Sequence, residues 1–196
     1  MWQICVVSNF LRTLPHRVKF RFQIITATVL ALAFSYPACA DINGKVVGVA
    51  DGDTLTVLDA NRRQHKIRLA GIDAPEKKQA FGNVAKQHMS GMVFGKMVRV
   101  DDRKKDRYGR TLGSVWMASG KCQIANCPKT VDVGLTMLAQ GLAWHYKQYA
   151  KDQPTQEREQ YSQAEEKARG QHVGLWRDVK PEPIPPWEWR KQKRHG

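Results

Sequence analysis

The sequence predicts an α+β domain in which β structure dominates: five short strands closed into a small barrel, with three α-helices packed on it. Three observations carry this. Strand-like alternation bounded by tight-turn signals recurs three times between Lys45 and Ile72, before any helical period appears. The apolar period then switches to helical spacing once between the third and fourth strand candidates and again after the fifth. A chain of 196 residues with 42% hydrophobic and 26% charged content is that of one ordinary globular domain, not of a disordered segment.

The elements follow in order. "KVVGVA" (Lys45–Ala50) is the first strand, and Asp51-Gly52 is a hairpin turn signal. "TLTVLD" (Thr54–Asp59) is the second, with Leu55 and Val57 on one face and Thr56 and Leu58 on the other. "NRR" turns the chain into the third strand, "HKIRLAGI". From Gln79 to Val93 the residues Phe81, Val84, Ala85, Met89, Met92 and Val93 form one helical apolar stripe, a core face. "MVRVDD" and "TLGSVWM" are the fourth and fifth strands around "RKKDRYGR". Val131, Leu135, Leu138 and Leu142 mark a second helix closed by Gly141; Thr155 to Arg169 is a charged third helix with Thr155 as N-cap and Gly170 as stop. Leu175 and Trp176 fold back onto the core. The last stretch, "KPEPIPPWEWRKQKRHG", is Pro-rich and then basic, and residues 179–196 read as an extended tail: a solvated appendage as the preferred reading, or an added nucleic-acid or surface contact through Trp187, Trp189 and the terminal Lys and Arg residues. A helix after the third strand and more after the fifth is the element order of an OB-fold, a barrel that commonly binds oligonucleotides on one face. The globular domain then spans 41–178, without an internal repeat or a P-loop.

Residues 1–40 are set apart. Arg12, Arg17, Lys19 and Arg21 precede the apolar run "IITATVLALAF" (Ile24–Phe34), no acidic residue accompanies them, and "SYPACA" puts Ala38 and Ala40 at the small positions of an A-x-A site. The expectation is a signal peptide with a long basic leader, cleaved after Ala40, and a periplasmic or secreted product. The run is short for a membrane span, so no stable membrane insertion is expected once the leader is removed. Cys5 and Cys39 leave with it. Cys122 and Cys127, in "CQIANC", remain, and in an exported protein they read as a disulfide. Zinc is the poorer reading, because His145 and His172 stand at no finger-like spacing. The formal net charge of +14, from 32 Lys and Arg against 18 Asp and Glu, points to a polyanionic partner: nucleic acid, an anionic membrane surface or a cell-wall polymer.

Chemistry-bearing groups cluster at strand ends. "DGDT" supplies Asp51 and Asp53, "IRLAGIDAPE" supplies Arg68, Asp73 and Glu76, and "DRYGR" supplies Arg107, Tyr108 and Arg110. Each has a bland reading: a turn, a helix start with Asp73 as cap and Glu76 completing a capping box, and a basic surface hairpin. Together they form a set of hard oxygen donors and arginine forks without a Ser or Cys nucleophile system. Oxygen-only ligands select Ca²⁺ or Mg²⁺ over zinc. Guanidinium forks match phosphate oxygens and stay charged at any working pH. A further carboxylate can position or deprotonate a water. That inventory suits metal-assisted phosphodiester hydrolysis.

The order "DGDT", "IRLAGIDAPE", "DRYGR", "GLAWHY", from about Lys45 to Trp176, resembles the staphylococcal nuclease (thermonuclease) family. The resemblance implies a five-stranded OB barrel with three helices and a Ca²⁺-dependent endonuclease acting on DNA and RNA, leaving 3′-phosphate ends. It implies that Asp53, Asp73 and the main-chain carbonyl of Ala74 hold calcium, that Glu76 is the general base, and that Arg68 and Arg110 bind the scissile phosphate. Arg107 and Tyr108 match positions that contact a substrate phosphate, and either Tyr146 or Tyr149 matches the platform for a base. Single-stranded or breathing nucleic acid is the expected substrate, and a monomer the expected state. Two other classes compete: a non-catalytic nucleic-acid-binding OB module, whose sign would be loss of one acid or arginine, and a cationic surface-binding protein relying on the basic tail. None of the acids or arginines is missing.

Overall fold

The computed structural model describes residues 41–122, 126–178 and 181–195; the expected leader and its cleavage site lie outside the described residues. Strands β1 (Ile42–Val49), β2 (Thr54–Asp59) and β3 (Gln64–Leu69) form the expected antiparallel meander. The chain then makes a two-residue strand, β4 (Ile72–Asp73), before the long hairpin of β5 (Met97–Lys105) and β6 (Thr111–Ala118). Strand order is β3-β2-β1-β5-β6, and β6 pairs back onto β3 in parallel. That pairing closes a five-strand barrel. Strand β7 (Lys129–Asp132) pairs with the far end of β6 on the same edge as β3, opposite β5, and β8 (Trp144–His145) pairs with β4 as a separate ribbon.

Alternation along the strands fills the barrel. Register sets Val46 opposite Val57, Leu55 opposite Ile67 and Val100 opposite Val115. All six, with Leu69 and Val98, are buried. Helix α1 (Gly82–Val93) adds Ala85, Met89 and Val93 to the same core, and α2 (Val133–Ala139) adds Val133, Met137 and Leu138. Helix α3 (Thr155–Gly170) contributes Tyr161, whose hydroxyl donates to Asp132 Oδ2 at 3.0 Å. Leu175 and Trp176 fold back as expected, into a second cluster with Trp144 and Ala168; the Trp144 and Trp176 rings meet edge to face at 5.3 Å.

Several boundaries differ from the sequence expectation. Helix α1 starts at Gly82 because Gln79 is used in a turn and Phe81, at φ 63°, holds the N-cap position. Asp73 caps no helix; it lies in β4. Val131 belongs to β7, and the cap of α2 is Asp132, whose side chain accepts from the Leu135 amide at 3.0 Å. Pro154, not Thr155, precedes α3, and Gly170 is its last residue. Cys122 and Cys127 are joined in a disulfide with Cα atoms 5.9 Å apart. Among the described residues no helix is long and apolar enough to cross a membrane.

The largest correction concerns the expected solvated tail. Residues 186–195 form a further α-helix, the fourth among the described residues, α4 (Pro186–His195). Its local logic is ordinary. Pro186 stands at the first helical position, where its missing N–H costs nothing. The Pro185 carbonyl accepts from the Glu188 and Trp189 amides, and Glu188 pairs with Lys191 at 2.8 Å. An acid in the first turn and bases in the last also suit the helix dipole. Proline content was a poor guide because every proline lies before the helix or at its first residue.

Candidate active site

The site forms where the β1–β2 turn and the segment from β3 through Glu76 come together. Thr54 pairs with Arg68 across the β2–β3 ladder, and the Leu69 amide donates to the Asp53 carbonyl at 2.9 Å. Asp53 is thereby locked beside the end of β3. Its Oδ2 accepts from the Ala74 amide at 2.7 Å and lies 3.1 Å from Arg68 Nη1. Asp73 reaches the same guanidinium because the chain reverses between β3 and β4 at Gly71, whose φ of 73° only glycine adopts readily. Arg68 Nη2 donates to Asp73 Oδ1 at 2.9 Å, and Nη1 donates to the carbonyls of Ile72 at 3.0 Å and Leu69 at 3.1 Å.

Close backbone approach helps to bring these loops together. A Cβ added at Gly52 would stand 2.7 Å from the Ala74 Cβ and 2.8 Å from the Ala85 Cβ, so the acidic turn rests directly on the next acidic segment and on α1. The side chains of Asp53 and Asp73 are 7% and 1% exposed, and that of Arg68 is 13% exposed. One fork therefore neutralises two buried acids. Burial pushes the Asp53 carboxyl up to about 7, with Arg68 opposing the rise and Asp51 and Asp73 adding to it.

Glu76 follows in a turn braced by Gln79. The Gln79 amide donates to the Glu76 carbonyl at 2.8 Å, and the Gln79 side-chain oxygen accepts from the Glu76 amide at 3.0 Å. Gln79 escaped the sequence reading, which placed it at the start of the helical stripe. The usable signal was its three-residue offset from Glu76 after a proline. The Glu76 carboxylate is solvent-accessible, unlike the two aspartates.

Arg110 leads into β6, which runs beside β3 with Ile67 opposite Thr111 and Arg68 opposite Leu112. Its backbone thus directly precedes the strand adjoining Arg68, while its Nε donates to Asp106 Oδ2 at 2.7 Å. Among the described residues it makes no hydrogen bond or ion pair with Asp53, Asp73 or Glu76. Asp106 also accepts from the amides of Tyr108 and Arg110, which folds the β5–β6 turn tightly. The exposed Tyr108 ring lies under two guanidiniums, Arg107 at 4.8 Å and Arg110 at 5.5 Å. A cationic, aromatic edge results.

Tyr146 is tied to the acidic loop, since its amide donates to the Gly71 carbonyl at 2.8 Å just beyond the β4–β8 pairing. Its ring meets Tyr149 edge to face at 5.2 Å and stacks on Trp187, with centroids 5.5 Å apart and planes 23° apart. The structure thus separates the two candidate tyrosines. Tyr146 lines a groove with Trp144, His145 and Trp187, whereas Tyr149 lines a second one with Arg103 and Gln153. Arg190 of α4 was also missed. Its Nη2 lies 2.7 Å from Asp73 Oδ2 and its Nη1 2.7 Å from Glu76 Oε1. Partial burial works against its charge, but the hydrogen bonds to Asp73 and Glu76 prevail and raise its pKa.

By donor type, Asp53, Asp73 and the Ala74 carbonyl fit a hard divalent cation: all are oxygens, and both acids are buried and demand positive charge. Among the described residues no three acidic, His or Cys side chains converge as a ready-made cage; Arg68 and Arg190 hold the acids instead.

Comparison with known proteins decides what this constellation belongs to. A family model described as staphylococcal nuclease homologue matches residues 66–178. Protein ParB of Escherichia coli is 40% identical over 170 residues, spanning 86% of this chain and 90% of the relative. A micrococcal nuclease of Shigella flexneri is 40% identical over 174 residues, 87% of this chain and 92% of its own. An uncharacterized endonuclease of Haemophilus influenzae is 43% identical over 150 residues, 76% and 74% of the two chains. The chain belongs to the staphylococcal nuclease family. As a staphylococcal nuclease homologue it is a phosphodiester-hydrolysing enzyme acting on nucleic acid. In this nuclease Asp53, Arg68 and Asp73 are held on strands and turns whose neighbouring residues Leu55, Ile67, Leu69 and Ile72 are buried in the hydrophobic core, which gives them a rigid support.

Proposed function

We propose that the protein is a calcium-dependent, exported nuclease that cleaves DNA and RNA with little sequence specificity and leaves 3′-phosphate ends. The observation that supports it most is the convergence of Asp53 and Asp73 on the Arg68 fork and of Asp73 and Glu76 on Arg190, with the strand that follows the Arg107–Arg110 turn paired to β3 at Arg68.

Asp53, Asp73 and the Ala74 carbonyl are the groups that would hold calcium, whose chemistry when bound is to neutralise charge on the phosphate. Arg68 donates to a non-bridging phosphate oxygen from its fixed position on β3. Arg110 moves from Asp106 to the charge that develops on the phosphoryl oxygens. Glu76, exposed enough to meet water, accepts a proton from the attacking water as its oxygen bonds to phosphorus. The P–O5′ bond breaks, the 5′-oxygen takes a proton from a solvent water and leaves as the alcohol, Glu76 returns its proton to solvent, and phosphate stays on the 3′ side. Tyr108 and Tyr146 offer flat faces to unstacked bases, so single-stranded or breathing segments are favoured. The basic excess of the chain draws the substrate in without reading its sequence. A monomer released after cleavage at Ala40 into the periplasm or medium completes this reading.

The test is digestion of single- and double-stranded DNA and of RNA, with Ca²⁺, with Mg²⁺ and with EGTA. Cleavage in Ca²⁺, loss in EGTA and poor recovery in Mg²⁺ are expected. Binding without nicking of plasmid in Ca²⁺ would replace the enzyme with the non-catalytic OB module.

A further inference from the structure

The C-terminal segment docks on the same group of residues. It is fastened at three points, each on a group with a role in the reading above. The Gln79 side-chain amide donates to the Ile184 carbonyl, so the segment is tied to the residue that braces Glu76. Trp187 stacks on Tyr146 with planes 23° apart, as a nucleobase would. Arg190 makes a two-pronged contact with Asp73, Nη2 to Oδ2 at 2.7 Å and Nη1 to Oδ1 at 3.3 Å, and reaches Glu76 Oε1 at 2.7 Å.

Trp187 and Arg190 are three residues apart in α4 and so project from one helix face. That face presents a flat ring to the aromatic platform and a cation to the acids. The remaining basic side chains of the helix, Lys191, Lys193 and Arg194, are exposed. A charged fork on a nearly inaccessible carboxylate is a specific contact, unlike the solvated ion pairs of the surface. It also uses the lone pairs that a divalent cation needs.

We propose that the C-terminal segment, residues 181–195, is a resident occupant of the catalytic site, with Arg190 on the cation's Asp73 and on Glu76, and Trp187 on the seat of a nucleobase, so that a divalent cation and a polynucleotide bind by displacing it. The proposal rests on the assignment of Asp73 and Glu76 to the cation and water site. Apparent affinity for a ligand falls by the fraction of molecules in the binding-competent state, so undocking the segment tightens binding. A segment docked about nine-tenths of the time weakens cation binding about tenfold.

The experiment is calorimetric titration of the purified full chain with CaCl₂ alone, for the parent, Arg190→Gln and Trp187→Ala, alongside hydrogen exchange of the amides of α4. Arg190→Gln should bind calcium about tenfold tighter than the parent. Its α4 amides should exchange faster without calcium, and the parent's should accelerate when calcium is added. Trp187→Ala should bind a phosphorothioate oligothymidylate more tightly in EGTA than the parent does. Equal calcium affinity in parent and Arg190→Gln, with binding lost in Asp73→Asn, would overturn the occupant role and leave the cation site standing. Weaker oligonucleotide binding in Trp187→Ala would also overturn it, making the segment part of the substrate site. Absence of calcium binding in the parent and in both variants would defeat the cation reading itself, and the occupant proposal with it.

Discussion

Replacing Arg68 should harm both stability and turnover, and the two effects can be separated. Its fork lies 3.1 Å from Asp53 and 2.9 Å from Asp73, with all three side chains nearly buried. Removing one partner of a buried pair costs about 3–5 kcal/mol, because a bare charge is left in a poor solvent. Arg190 still reaches Asp73, so in Arg68→Ala only Asp53 loses its cation, and because its carboxyl, already pushed up to about 7, then takes up a proton instead of standing bare, about 3 kcal/mol is the upper estimate. A domain stable by about 5–15 kcal/mol survives that loss folded. With a urea slope of about 1–3 kcal/mol/M the midpoint falls by about 1–3 M. Turnover of single-stranded DNA, measured well below the new midpoint, should drop by about 10²–10³. Adding Asp53→Asn separates the causes. A double-mutant cycle with Arg68→Met and Asp53→Asn should recover much of the stability, with coupling of about 1–3 kcal/mol, and none of the activity. Coupling below about 0.5 kcal/mol would refute the buried-pair argument. Parent-like turnover in Arg68→Ala would remove it from the phosphate site.

Other perturbations probe neighbouring groups. Glu76→Gln should leave the urea midpoint near that of the parent, since the side chain is solvent-accessible, while lowering turnover by about 10²–10⁴, as steady-state kinetics would show. Gly52→Ala forces a methyl against Ala74 and Ala85, and thermal unfolding should register about 1–3 kcal/mol of lost stability together with reduced activity, because the acidic loops are pushed apart. Binding of a single-stranded oligonucleotide in EGTA, followed by fluorescence anisotropy, should weaken linearly in log–log coordinates with salt; a flat line would exclude an electrostatic interface.

The barrel was legible because its information is local. Period-two alternation in β1, β2 and β3, turn signals at Asp51-Gly52, and the stripe of Ala85, Met89 and Val93 each act over a few residues, and the same burial rule reads them all. The acids and arginines were legible as residue types at strand ends, and their order pointed to the family. The convergence of Asp53, Arg68, Asp73 and Glu76 follows from β2–β3 register and a left-handed glycine at Gly71, and alternation already sent Arg68 away from the core face of Ile67 and Leu69. What local pattern could not supply is everything that depends on a distant partner. Gln79 leaves the helix because the Glu76 turn uses its side chain, and β4 is a strand only because β8 lies beside it. Whether the last helix floats or docks is decided by Asp73, which lies 117 residues from Arg190 along the chain. Propensity made α4 possible; the buried carboxylate of Asp73 and the half-buried ring of Tyr146, positioned by distant parts of the chain, determined where it sits.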